Sequence, residues 1–349
     1  MNERTRRSPA RHATVVEVAR HAGVSLATVS RVINGTAAVS PDKREQVEQA
    51  MLALNFQPDP MAQGLRRGQS NAVALLVGDI AQRHFAELTQ HVQRALESQG
   101  KDLLLFNLGH QQKRLEDFLE RSLRMRLRAV VVATSDAMTR PVFEAARRLL
   151  AHGIQVISLG QDLTRQGIAS IVHEEHEATR RSVTHLVSLG HRNIAYVGRI
   201  RGSAIGSARF AGYRDAMRKA NRFDPALVWD MSFRYAAGYD SVAKALTEGR
   251  AFSALQAGSD EIAMGAIAAL HDRGLAVPKD VAVVGFGDID LGAFVRPALT
   301  TLSSSPLLAA DHLAQLLRDD APSAPDDPPC ILLPRQLIVR ASSGASSGQ

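Results

Sequence analysis

The sequence predicts an α/β protein in two parts, a small all-α helix-turn-helix headpiece and a large two-lobed α/β unit. Two observations carry this. Between Thr14 and Asn34 the chain reads as two short helices joined by a tight turn. From Asn71 onward, short apolar strands alternate with amphipathic helices, which implies parallel sheets flanked by helices. Because roughly 270 residues exceed the usual size of one sheet core, two lobes with a cleft between them follow. With 349 residues and 45% apolar content, the chain can bury a core in each part.

Each headpiece element has its own signal. Thr14 followed by Glu17 is a capping box, so the first helix starts at Val15. Gly23 supplies the positive φ of a sharp helix-to-helix turn, and Ser25 caps the second helix. There Val29, Val32 and Ile33 share a face that packs on Val18, Ala19 and Ala22. Leu26, Ala27, Ser30 and Arg31 point the other way, a face slim enough for a DNA major groove about 12 Å wide. Thr14, Ser25, Thr28 and Asn34 complete the candidate DNA contacts. Ser40 and Pro41 open a third helix whose stripe is Val47, Ala50, Met51 and Leu54.

Charge points the same way. The net charge is +7 and the basic residues gather toward the N-terminal end, including Arg4, Arg6, Arg7 and Arg11, which favours a polyanionic partner. No apolar run approaches the ~20 residues that cross a bilayer, and a cytoplasmic protein is expected. The single cysteine, Cys330, excludes an internal disulfide and a multi-thiolate metal site, and is expected in a core strand.

In the large unit the predicted strands are Ala72 to Val77, Leu103 to Asn107, Ala129 to Ala133, Val156 to Leu159, Ile194 to Val197, Ala254 to Ala257 and Val281 to Gly285. Ligands of such lobes meet the carboxyl ends of strands and the helix starts that follow. Asp79, His84, Phe85, Arg209, Ser259, Asp260 and Asp288 occupy such places. An arginine, acidic groups and an aromatic ring suit a polyhydroxylated ligand, since carboxylates take hydroxyl protons and rings cover an apolar sugar face.

Other chemistry is disfavoured. His173-Glu174-Glu175-His176-Glu177 lacks the His-Glu-x-x-His spacing of a zinc helix and reads as an acidic first helical turn, so no metal is predicted. Gly198, Gly202 and Gly206 do not have the dinucleotide spacing, and no cofactor is predicted. No nucleophile and base pair emerges, so the chain is not expected to be an enzyme.

The run from Val15 to Asn34 closely resembles the DNA-binding headpiece of the lactose-repressor (LacI/GalR) family of bacterial transcription regulators. In that family the residues aligned with Leu26, Ala27 and Arg31 touch base edges. The segment Pro58 to Gly68 resembles the family hinge, in which the leucine aligned with Leu65 wedges into the minor groove with the residue aligned with Ala62 beside it. Gly64 weakens that helix by about 1 kcal/mol. Thr184 to Gly198 and Val277 to Phe286 look like the family's effector domain, similar to periplasmic sugar-binding proteins. Chain crossings between lobes are expected near Ile171, Leu302 and Cys330, the last leading into a strand from Ile331 to Val339.

The resemblance also assigns effector residues. Arg209 matches the arginine that grips the effector, Ser259-Asp260 stands for the usual Asn-Asp pair, and Phe85 and Phe233 align with ring-stacking positions. Two positions depart from the pattern. Gly287 stands where aspartate is common, with Asp288 a candidate substitute, and Glu174-Glu175 replaces a frequent Asp-Asn. The predicted segments are a basic disordered leader (1–13), the headpiece (14–57), a hinge (58–69), the two-lobed effector-binding and dimerisation unit (70–341) and a flexible tail (342–349).

These readings imply a homodimeric regulator, most often a repressor, on a palindromic double-stranded DNA operator, controlled by a small effector such as a sugar or sugar derivative, with no membrane partner. The rival is a metabolite-binding α/β protein or enzyme with non-specific DNA affinity. It predicts sequence-independent DNA association and no symmetric site.

Overall fold

The computed structural model describes residues 13–34, 39–56, 71–320 and 327–344. The basic leader, the hinge with Ala62, Gly64 and Leu65, the side chain of Asn34, and positions from 345 lie outside the described residues. The chain divides into two compact units, Met1–Ser70 and Asn71–Gln349.

In the first unit, α1 (Val15–His21), α2 (Leu26–Asn34) and α3 (Pro41–Ala53) enclose a small core. Thr14 and Glu17 form the capping box, with the Thr14 N–H donating to Glu17 Oε2 at 2.6 Å and the Glu17 N–H to Thr14 Oγ1 at 3.3 Å. Gly23 turns the chain at φ 65°, and the Thr28 N–H donates to Ser25 Oγ at 3.2 Å. Val18, Val29 and Val47, one from each helix, are fully buried. At the start of α3, Ser40 stands at the cap position but its side chain makes no capping bond, and Pro41 fixes the first turn instead.

The second unit holds two parallel sheets. One runs in the order β11 (Cys330–Leu333), β5 (Ala169–His173), β4 (Gln155–Leu159), β3 (Ala129–Ala133), β1 (Ala72–Val77), β2 (Asp102–Asn107). Along β1, Val73, Leu75 and Val77 face one apolar cluster while Ala74 and Leu76 face another, as a strand buried on both faces requires. The first cluster is closed by α4 (Arg83–Glu97) and α11 (Pro306–Leu316), the second by α5 (Gln112–Ser122) and α6 (Arg140–Ala151).

The other lobe orders β7 (Val228–Asp230), β6 (Ile194–Gly198), β8 (Ala254–Ala257) and β9 (Ala282–Val284). Helices α7 (Glu175–Ser188) and α8 (Ala204–Lys219) cover one face, α9 (Tyr235–Thr247) and α10 (Asp260–Asp272) the other. A small antiparallel ribbon pairs β10 (Thr301–Leu302) with β12 (Leu337–Ile338).

Three expectations need correction. The predicted strand from Ile331 to Val339 divides: β11 joins the first lobe's sheet and β12 the ribbon, so the third crossing lies between Leu333 and Leu337. Cys330 is exposed, because it opens a strand at the sheet edge with a neighbour on one side only. The start of the predicted tail is packed: Ser342 is buried, accepts from the Thr300 N–H at 2.8 Å and donates to the Val283 carbonyl at 2.6 Å.

Candidate functional site

On the headpiece, the chemistry available is that of α2. Val29 and Val32 turn into the core, which leaves Ser25, Leu26, Ala27 and Arg31 exposed on the outer side. Leu26 is 50% exposed, an apolar side chain spent on the surface of a very small domain. Thr28 and Ser30 are half-buried at the edges of this face. Short apolar groups of this kind fit thymine methyls, and an arginine fork fits the paired acceptors of guanine.

In the large unit the lobes enclose a cavity of about 90 Å³. Its polar floor is built at two chain crossings. The first crossing leaves β5 and enters α7, whose first residue is Glu175; the third carries Arg335 between β11 and β12. Gly212 of α8 lets that helix lie against α7, since a Cβ there would collide with the His176 carbonyl. Arg209, one turn earlier on α8, thereby reaches Glu175.

The resulting triad is nearly dry. Glu175 accepts from Arg209 Nε at 2.7 Å and from Arg335 Nη2 at 2.7 Å, and Glu175 and Arg335 are 6% and 5% exposed. Each guanidinium also donates to a carbonyl, Arg209 Nη1 to Gly258 at 2.6 Å and Arg335 Nη1 to Ser303 at 2.9 Å. Both cations stack on the Phe286 ring, at 3.8 and 4.6 Å from its centre. Burial opposes ionisation of Glu175, but the Arg209 and Arg335 guanidiniums outweigh it and hold the carboxyl well below the usual carboxylate range.

Two histidines line the same space. Burial, reinforced by Arg335 and Arg209, lowers His84 to about 4; burial and then Arg335 lower His173 to about 3. Both rings are neutral at pH 7. Three polar atoms of the lining are buried without a hydrogen-bond partner among the described residues: Ser135 Oγ, His173 Nε2 and Arg335 Nε.

Of the effector residues expected from sequence, His84, Phe85, Arg209, Phe233 and Ser259 line the cavity together. Asp79, Asp260 and Asp288 do not. Asp79 pairs with Arg234 of the other lobe at 2.9 Å. Asp260 is fully buried behind the wall, accepting from Thr301 Oγ1 at 2.6 Å and the Ile289 N–H at 2.8 Å, and burial pushes it up to about 6. Asp288, at φ 53°, accepts from Arg340 Nη2 at 2.8 Å and so does not stand in for a carboxylate at Gly287. Sequence reading missed Arg335, whose signal is an arginine closing the apolar run Ile331-Leu332-Leu333-Pro334.

The lobes are also tied across the cleft. Arg83 of α4 donates to Asp290 at 2.7 Å, and its N–H donates to Glu261 Oε1 at 3.1 Å. On another side Arg199 donates to Asp136 and meets His110 Nδ1 at 3.0 Å, while the Ala204 N–H donates to the Ser135 carbonyl at 2.9 Å. Among the described residues, no cluster of three or more His, Cys, Asp or Glu side chains is arranged to hold a metal ion. No described helix is long and apolar enough to cross a membrane.

Comparison with known proteins gives the same two parts. Residues 14–59 match the model of bacterial regulatory proteins, lacI family, and residues 183–343 that of a periplasmic binding protein-like domain. The chain is 30% identical over 292 residues to the HTH-type transcriptional regulator AscG of Escherichia coli (strain K12), covering 83% of this chain and 86% of that protein. It is 30% identical over 314 residues to the regulator GalR of the same strain, covering 89% and 90%. Among solved structures, the lac repressor dimer bound to operator and the anti-inducer ONPF is similar with a TM-score of 0.86 at 25% identity, covering 96% of this chain and 100% of that one. The transcriptional regulator CelR–cellobiose complex gives 0.69 at 28% identity, covering 95% and 100%.

Proposed function

Because this chain belongs to the lacI family of bacterial regulatory proteins, we propose that its headpiece reads an operator through α2 and that a small metabolite in the interlobe cavity sets the affinity. It is a DNA-binding transcriptional regulator and not an enzyme. Acting in the cytoplasm as a homodimer, it presents two headpieces to the adjacent major grooves of a palindromic site and represses the genes there. The observation that carries this is the exposed Leu26, Ala27 and Arg31 on a helix whose opposite side is core.

In this reading Arg31 is the polar base reader, and Thr14, Ser25, Thr28, Ser30 and Asn34 support it at the groove edge, with Ala62 and Leu65 of the hinge at the minor groove. His84, Phe85, Arg209, Phe233 and Ser259 hold the effector, a sugar or sugar derivative. Asp79, Asp260 and Asp288 shape the cleft through their own partners and do not touch the ligand. A ligand bridging both walls favours the joined arrangement that Asp79–Arg234 and Arg83–Asp290 already hold, and so shifts the population of DNA-competent dimers. The coupling is reciprocal: a ligand that weakens DNA binding is itself bound more weakly by the DNA complex.

The test is to mix the purified full chain with sheared bacterial genomic DNA at near-physiological salt and sequence what is retained. A symmetric site with half-sites about one helical turn apart supports the regulator, and diffuse retention abolished by salt refutes it.

A further inference from the structure

Two guanidiniums, Arg209 and Arg335, face the cavity. They share one carboxylate, Glu175, in its floor. The other carboxyl on its wall, Glu261, accepts the Arg83 N–H, and burial pushes it toward its neutral form. Asp260 and Asp288 are engaged elsewhere, and at Gly287 the backbone adopts φ 133°, a conformation that a side chain rarely takes. Burial first, and then the charges of Arg335 and Arg209, lower His84 and His173. Two guanidiniums sharing a single carboxylate in the floor leave charge that an anionic ligand can answer.

Geometry narrows the anion. The two guanidiniums lie over Phe286, and a guanidinium donates only from its edges, in plane. Arg335 Nε is a buried edge donor with no partner among the described residues. In-plane paired donors match a carboxylate or a phosphate, and a cavity of about 90 Å³ favours the smaller carboxylate. Ser135 Oγ and His173 Nε2, also unpartnered, suit hydroxyl groups on the rest of the molecule.

We propose that the effector is a small hydroxy-carboxylate of the sugar-acid class, its carboxylate held against the edges of Arg209 and Arg335. The proposal rests on the reading of this cavity as the effector site. It makes Arg335 a specificity-determining residue, selecting the acid over its parent sugar.

The experiment is titration calorimetry of the full-length protein with C5 and C6 aldonates and uronates, their parent aldoses, and glucose 6-phosphate. An acid is expected to bind at least tenfold tighter than its aldose. Arg335→Gln should lower the ratio of acid to aldose affinity at least tenfold, and Arg335→Lys, which keeps the charge if the glutamine variant does not fold, should retain a preference for the acid. Equal binding of acid and aldose, tighter binding of the phosphate, no binding by any acid, or an equal loss of both in Arg335→Gln overturns the proposal. Ile205→Trp, which fills the cavity from α8, separates the two levels. An acid that binds this variant unchanged sits elsewhere and refutes the cavity reading itself, whereas ligand binding that Ile205→Trp abolishes but that shows no preference for acids refutes only the carboxylate.

Discussion

Arg335 donates to Glu175 at 2.7 Å across 160 residues of sequence, joining the third chain crossing to the first in the floor of the cleft. Arg209 holds the other oxygen of the same carboxylate, so one buried anion fixes two crossings and a helix. Whatever moves one lobe against the other must carry or strain this triad, which makes it the mechanical centre of the effector unit.

Glu175→Gln should therefore cost more than a lost surface pair. It leaves one buried and one half-buried guanidinium without their anion, and breaking such a network costs roughly 3–5 kcal/mol. Urea unfolding of the variant measures this. A loss below about 1 kcal/mol would place the triad among surface-like pairs.

Gly212→Ala should loosen the same centre without changing a charge. The added Cβ meets the His176 carbonyl, and overpacking of this kind costs about 1–3 kcal/mol through backbone shifts. Thermal unfolding should register the loss, together with weaker binding of whichever ligand the cavity takes. A variant as stable as the wild type would mean that α7 and α8 have slack at this crossing.

Acid should destabilise the effector unit with a sign set by two half-buried histidines and one buried aspartate. His84 and His173, lowered to about 4 and about 3, stabilise the fold fully above pH 6.5, and that contribution is lost as pH falls through their folded values. Asp260, raised to about 6, acts oppositely: its contribution is complete below pH 3.8 and is lost as pH rises through 6. Between pH 4 and 6 the unfolded chain holds two of these protons and the folded chain one. Stability should rise with pH by about 1.4 kcal/mol per unit there. In urea unfolding across this range His84→Asn should flatten the slope and Asp260→Asn should steepen it; the reverse pattern would contradict the assignment.

Arg31→Ala should cost about 1–3 kcal/mol and relax base preference at one position of each half-site. Sequencing the fragments retained by the variant tests this directly. An unchanged site preference would remove Arg31 from the reading role.

Much of this architecture was legible in the chain. The Thr14–Glu17 box, Gly23 and the alternation of Val29 and Val32 with exposed neighbours are local signals, and they located the headpiece helices. Strands buried on both faces, such as Ala72–Val77 and Ala129–Ala133, announce themselves as apolar runs. The short β7 and β10 do not, being three and two residues long. Long-range pairing was the harder part. Asp79 looked like a ligand group because nothing near it in sequence reveals Arg234, and Asp288 because nothing reveals Arg340. Arg335 was overlooked for the converse reason, since its role depends on a carboxylate from the far side of the domain.

The most direct measurement is the affinity of the full-length protein for its selected symmetric site against a scrambled duplex of equal length, by fluorescence anisotropy at one near-physiological salt concentration. A ratio of about 10³ or more, falling about tenfold or more in Arg31→Ala, is the result expected of a regulator that reads its operator through α2. Equal affinities for the two duplexes, both abolished by added salt, would contradict it and leave only the attraction of a basic chain for phosphate.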